Sequence, residues 1–275
     1  MGRSGPNTQH PGAQREARLS STQYQGQIDA RRRQTLVGVG LAVAVIGAWL
    51  VCHIAAIFLI DWAALPLFAP LAMVAVQTWL FVGLFIIAHD CMHGSLAPGR
   101  PAVNRAFGRF ALWLYAAFSY DRLLPEHHKH HRRPGTAADP DYNPENPRAF
   151  WPWFLRFIRH YYGWREFLTM GTVMVVYVIA LQPSIVNVLA FYALPAALSA
   201  LQLFYFGTYR PHRAETRPFS DDHNTRTDEF PWLVSLLTCF HFGYHHEHHL
   251  SPTTPWWRLP AERNARRAAR PVPAE

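Results

Sequence analysis

The chain has 275 residues, half of them hydrophobic and only 16% charged, with a formal net charge of +8. A charge fraction this far below the usual quarter argues against an ordinary soluble domain. The basic excess lacks any recognisable nucleic-acid module and lies outside the apolar stretches, which excludes a nucleic-acid partner.

Residues 1–34 are read as a disordered tail, rich in Gly, Pro, Gln, Ser and Arg, with no cleavable signal peptide. Two long apolar stretches follow. From Leu36 to Ala88 the only formal charge is Asp61, and from Phe167 to Tyr209 there is none. Each is long enough for two helical crossings of a bilayer. The first breaks at Asp61–Pro66 and the second at Gln182-Pro183-Ser184. The expected fold is therefore an all-α integral membrane protein, with four transmembrane helices in two hairpins, interfacial helices and a cytoplasmic histidine-rich cap. The spans are placed at Leu36–Ile60, Leu65–Ala88, Phe167–Leu181 and Ile185–Phe206. Arg31-Arg32-Arg33 abuts the first hairpin and eleven further Arg and Lys lie from Arg100 to Arg165. That bias puts both termini and the middle segment on the cytoplasmic side of the membrane. His53 inside the first span is expected to bond a neighbouring helix. Cys52, Cys91 and Cys239 have no framework spacing and are expected to be free thiols.

Between and after the hairpins the chain concentrates its histidines. Ten of 16 lie in three short boxes: His89 and His93; His127, His128, His130 and His131; His245, His246, His248 and His249. On a helix, positions i, i+3 and i+4 share a face. Each box therefore offers two or three imidazoles to one point, which is metal-ligand spacing. Asp90 stands beside a candidate ligand, either as its hydrogen-bond partner or as a plain surface carboxylate. Ala106–Tyr120 is read as an interfacial or re-entrant helix, and residues 134–149 as a Pro-rich loop centred on Ala138-Asp-Pro-Asp-Tyr142. Trp151, Trp153, Tyr161 and Tyr162 are expected aromatic anchors at headgroup level. The second hairpin delivers Thr208 and His212 to the same membrane face as the boxes. Phe230–Phe242 is too short to span, and residues 259–275 are read as a second disordered tail, leaving one domain over 35–258.

Eight patterned imidazoles, with His212 as a ninth, exceed the four ligands of one structural zinc and suit two metals with open positions. Imidazole accepts several transition metals, but only a redox-active one can turn O₂ on an unactivated C–H bond, and the membrane face favours a lipophilic substrate. A zinc-binding membrane transporter is the remote alternative; it would need ionisable residues within the spans, which hold almost none.

The boxes resemble those of the membrane fatty acid desaturase/hydroxylase superfamily. His89-Asp-Cys-Met-His-Gly-Ser-Leu-Ala-Pro-Gly-Arg100, Pro134-Gly-Thr-Ala-Ala-Asp-Pro-Asp141, Leu236–Gly243, His245–Leu250 and Pro255-Trp-Trp257 are similar to the bacterial β-carotene ketolases within it. The resemblance covers roughly residues 35–258. It implies a non-haem di-iron, O₂-dependent oxygenase that hydroxylates C4 of a β-ionone ring twice, giving echinenone and then canthaxanthin, or astaxanthin from a hydroxylated substrate. It implies His89, His93, His127, His130, His131, His212, His245, His248 and His249 as iron ligands, two iron ions, a carotenoid substrate in membrane lipid, and reduced ferredoxin or an equivalent electron-donor protein. Location in the bacterial inner membrane goes with it. Thr208 replaces an Asn that holds a metal-bound water in related desaturases, which weakens that contact. His128, His223, His241 and His246 are expected mostly as hydrogen-bonding neighbours, one of them a possible further ligand. A carotenoid 3-hydroxylase or a fatty acyl desaturase with the same centre is the alternative outcome.

Overall fold

In a computed structural model the chain is described over residues 11–269; its regular elements are all helices, joined by loops, with no strand among the described residues. Ten helices follow in order: α1 (Pro11–Ile54), α2 (Phe68–Met92), α3 (Pro101–Ala116), α4 (Tyr120–Arg132), α5 (Phe150–Tyr161), α6 (Trp164–Leu181), α7 (Ile185–His212), α8 (Trp232–Cys239), α9 (His245–Leu250) and α10 (Leu259–Ala268). Four segments are long and apolar enough to cross a membrane: Gln23–Leu59, Phe68–Met92, Trp164–Leu181 and Ile185–His212. A bilayer tolerates helices because every backbone polar group is bonded within its own segment.

The span limits differ from expectation at the polar ends, by three to six residues in α2, α6 and α7 and by thirteen at the start of the first span, where helical hydrogen bonding continues past the last apolar residue. α2 runs on through His89 to Met92, and α6 starts at Trp164, its first turn capped by Glu166 bonding the Gly163 N–H at 3.1 Å. α2 is the central element, packed on α1, α3 and α7. Its C-terminal half is buried over Leu80–Leu84 and Ile86–Met92, whereas α6 buries no residue and presents Val175, Val176 and Ile179 outward. Such an apolar face has lipid as its natural solvent. His53 bonds the Tyr177 hydroxyl at 2.9 Å, tying α1 to α6. Cys52, Cys91 and Cys239 are free.

Close approach of α2, α3 and α4 depends on Gly108. A Cβ there would stand 2.3 Å from Tyr120 Cε2 and 3.1 Å from Cys91 Cβ. Gly108→Ala is expected to cost roughly 1–3 kcal/mol through overpacking, read as a lower unfolding midpoint in detergent. An unchanged midpoint would show that α4 shifts freely.

Two segments expected to be disordered are helical. α1 begins at Pro11, although residues 23–33 are exposed on every side. The run from Ala13 to Gln34 has no Pro and one Gly, and extending a helix already formed avoids the cost of nucleation. The C-terminal segment forms α10, with Leu259 buried and Arg263 Nη1 bonding the buried Glu247 at 2.8 Å. A partner for a buried carboxylate holds that helix in place. The remaining parts of both tails, 1–10 and 270–275, lie outside the described residues.

Candidate metal centre

The three boxes reach one place from α2, α4 and α9, and His212 joins them from the end of α7. The nine rings form two groups, each with its nitrogens within 4.8 Å of one another: His89, His93, His127, His131 and His248; and His130, His212, His245 and His249. The groups abut, with His131 stacked on His249 at 4.3 Å between ring centroids.

The partition departs from the simple reading that each box serves one point. In α4 the i, i+4 pair His127 and His131 goes to the five-histidine group and His130 to the other. In α9 the pair His245 and His249 goes to the four-histidine group and His248 crosses over. An i+3 side chain points about 100° away from its i+4 neighbour around the helix axis. Two facing helices therefore share six histidines reciprocally between two centres.

The nitrogens face one another as lone-pair donors. Nε2–Nε2 distances are 2.7 Å for His93–His127, 3.0 Å for His131–His248, 3.0 Å for His212–His245, 3.1 Å for His245–His249 and 3.2 Å for His130–His249. Metal–imidazole bonds of ~2.0–2.1 Å set nitrogens at right angles about 2.9 Å apart. Both nitrogens of His89, and Nδ1 of His245 and His249, are buried without a hydrogen-bond partner among the described residues. A cation among the facing Nε2 atoms would satisfy those lone pairs at once, together with one nitrogen of the otherwise unpartnered His89, while Nδ1 of His245 and of His249 lies on the far side of its ring. The residues present fit a pair of transition metals.

Burial, reinforced by the neighbouring rings, holds His93 down at about 3 and pushes His127, His131, His245, His248 and His249 well below the usual histidine range. The rings are thus neutral, the form that ligates. His130 is the exception. Burial disfavours its charge, but Asp139 and Asp141 outweigh burial and raise its proton affinity.

Asp139 was not singled out from sequence, where its loop read as a Pro-rich connector. Its carboxylate accepts from His130 Nδ1 at 3.0 Å and is itself held by the Gly135 N–H at 2.8 Å and the Asp141 N–H at 2.9 Å. The signal that was available is two carboxylates placed within ten residues of a histidine box. His212 is oriented likewise, its Nδ1 donating to the Asn224 carbonyl at 2.8 Å. Such outer partners set which nitrogen carries the lone pair. Asp139→Ala is expected to lower metal affinity about 10–100-fold, measured by competition with a chromophoric chelator. Wild-type affinity in that variant would deny Asp139 this role.

Asp90 is buried rather than a surface residue, yet it lies 3.8 Å from His89 Nδ1, too far to orient it. It accepts instead from the Trp256 N–H at 3.2 Å, joining α2 to the segment after α9. His128, His223, His241 and His246 stand outside both groups. His128 meets the Met92 carbonyl at 3.2 Å and His246 pairs with Asp221 at 2.7 Å. Thr208 makes no side-chain hydrogen bond to either group among the described residues and lines a neighbouring cavity.

That cavity, about 410 Å³, lies between α2, α3, α4, α5, α6 and α7. His89, His127, His130 and His245 close one end, and Met170, Met174 and Tyr192 line the other. Ala193, Ala196, Ala197 and Ala200 give α7 a smooth wall, and the π-helical turn Phe204–Tyr209 carries Thr208 and leads into His212. A π-turn shifts side-chain register by about one residue, which sequence periodicity does not display.

Comparison with known proteins agrees with this geometry. The family model described as Fatty acid desaturase matches residues 60–172 and 159–273. Beta-carotene ketolase of Paracoccus sp. (strain PC1) is 48% identical over 230 residues, covering 83% of this chain and 93% of that protein. Beta-carotene ketolase of Paracoccus sp. (strain N81106 / MBIC 01143) is 50% identical over 220 residues, 80% of this chain and 89% of that protein. Zeaxanthin 4-ketolase of Chlamydomonas reinhardtii is 34% identical over 260 residues, 88% of this chain and 56% of that protein. On these matches the chain is an enzyme of the fatty acid desaturase family, alongside beta-carotene ketolases that are 48% and 50% identical to it over 83% and 80% of its length.

Proposed function

We propose that this enzyme is a β-carotene 4-ketolase, a membrane oxygenase that converts the C4 methylene of a β-ionone ring to a ketone. The observation that carries this reading is the apolar cavity with two histidine groups at one end. The names of the relatives supply the substrate and the ketone.

In this reading His89, His93, His127, His131 and His248 hold one iron and His130, His212, His245 and His249 the other. The irons, when bound, supply the redox chemistry by which O₂ and external electrons hydroxylate a C–H bond. The protein's own part is positioning. The alanine face of α7 admits a flat ring and its polyene stem, while Phe242, packed 4.6 Å from His89 and 4.9 Å from His245, keeps water from the histidine end. The Tyr115 and Tyr192 hydroxyls are engaged, by Ser199 at 3.1 Å and the Leu114 carbonyl at 3.3 Å, so both rings offer the cavity an apolar surface. Holding the reacting carbon at a fixed place beside the metals converts binding energy into rate.

Residues 35–258 form the oxygenase unit in this reading, with α10 as its buttress. The four spans pair as two hairpins in the bacterial inner membrane, with the boxes and both termini on the cytoplasmic side, where a reduced ferredoxin or similar carrier has access. The basic segment from Arg100 to Arg165 suits an acidic carrier. Cells making β-carotene and expressing the chain are expected to accumulate echinenone and canthaxanthin, seen as a red pigment shift and as products of matching mass. Accumulation of 3-hydroxylated carotenoid instead would replace this reading with the hydroxylase one.

A further inference from the structure

The cavity wall is apolar almost throughout, yet one carboxylate stands in it at the histidine end. Asp141 lines the cavity beside His130, whose Nδ1 lies 3.7 Å from Asp141 Oδ2. Its other oxygen accepts from the Tyr161 hydroxyl, so the carboxylate is held by a ring that itself lines the cavity. Thr208, with no hydrogen-bond partner for its hydroxyl among the described residues, lines the same space from α7 one turn before His212. A bare hydrocarbon ring has nothing to offer these groups, and burying a carboxylate against it is unfavourable.

We propose that Asp141, held by Tyr161, binds a hydroxyl on the ring under oxidation, and in particular retains the half-oxidised alcohol for the second oxidation. The inference rests on the ketolase reading and adds a reason why the product is a ketone. The first oxidation consumes the C4 methylene, one O₂, two electrons and two protons, and yields the C4 alcohol and water. A second round with the same inputs yields the gem-diol and water, and loss of a further water leaves the ketone. The electrons come from the reduced carrier in both rounds. Between rounds the alcohol either stays or leaves into the lipid. An acceptor unused by the hydrocarbon and used by the alcohol favours staying, since a site built around a hydroxyl discriminates strongly against the analogue lacking it. A 3-hydroxyl, on the neighbouring ring carbon, presents the same chemistry.

The test compares binding with product distribution in the full metal-loaded protein in lipid nanodiscs. Without electron donor, β-carotene, 4-hydroxy-β-carotene and a 3-hydroxylated carotenoid are titrated by tryptophan quenching. Wild type is expected to prefer the 4-hydroxylated ring over β-carotene, and Asp141→Leu to reduce that preference roughly tenfold, the size of one hydrogen bond to a charged group. Asp141→Asn, which keeps an acceptor, should restore most of it, and Tyr161→Phe should fall between. With donor and β-carotene, Asp141→Leu should release the 4-alcohol as a major product. A loss confined to the 3-hydroxylated ligand would assign Asp141 to substrate hydroxyls and overturn the retention step. Equal binding of all three ligands to wild type, or an unchanged alcohol-to-ketone ratio in Asp141→Leu and Tyr161→Phe with ketone still formed, would overturn the proposal and leave the ketolase reading standing. Absence of ketone from wild type would instead remove the reading beneath it.

Discussion

Replacing His248 by alanine is expected to abolish ketone formation and strip iron from the protein, while the chain still inserts in the membrane. His248 is the single contribution of the third box to the five-histidine group, and its Nε2 faces that of His131 at 3.0 Å. Its ring also packs against His89 at 4.6 Å and Phe242 at 5.2 Å, so truncation opens a void as well as removing a lone pair. The affinity loss should exceed the ~10–100-fold typical of deleting an outer partner of a ligand. Because α9 divides its rings between both groups, a disturbance of its packing reaches both centres. His246→Ala is the matched comparison: its ring pairs with Asp221, outside either group, and that variant should retain its metal. Metal analysis of both purified variants, with product mass from the same cells, checks the pair. Full ketone formation by His248→Ala would remove it from the ligand set, and with it the partition of the boxes described above.

Filling the cavity should have as large an effect by a different route. Ala197 lies in the middle of the alanine face of α7, and Ala197→Trp places an indole within a space of about 410 Å³. The side chain enters existing room, so stability should fall less than the ~1–3 kcal/mol of an overpacked core. Bound iron should be unchanged, because no histidine is touched. Turnover of β-carotene should drop by about 10²-fold or more, as expected when the reacting carbon is displaced by an ångström or so. Metal content and kcat/KM measured together separate this variant from His248→Ala, which loses both. If Ala197→Trp made ketone at the wild-type rate, the substrate would have to approach from elsewhere.

The aliphatic runs and histidine spacing were enough to place four spans and the three boxes, since both signals are local, whereas His212 was added by its position after the fourth span and by the family resemblance. A twenty-residue apolar run has few alternatives to a membrane helix, and i, i+3, i+4 spacing acts within one turn. The tails were misread for a related reason. Composition reports the absence of a core, whereas α10 is held by burial of Leu259 and by the Arg263 pair with the buried Glu247, contacts that composition does not display. Asp139 and Asp141 were hidden in the same way. A Pro-rich loop shows its turn chemistry in sequence, but its contact with His130 exists only once α4 and that loop have folded together.

The amino-acid sequence by itself therefore determined the class of chemistry: many imidazoles at ligand spacing, almost no ionisable groups through the spans, and a lipophilic setting. Only the tertiary structure decided how nine rings divide into five and four, which carboxylate orients His130, that Asp90 serves Trp256 rather than His89, and that Asp141 rather than Thr208 meets a histidine at the cavity end. The physical reason is direction. Spacing says which side chains leave a helix together, but where they point is set by the packing of α2, α4, α7 and α9 around one another, and that depends on close contacts such as Gly108 against Tyr120.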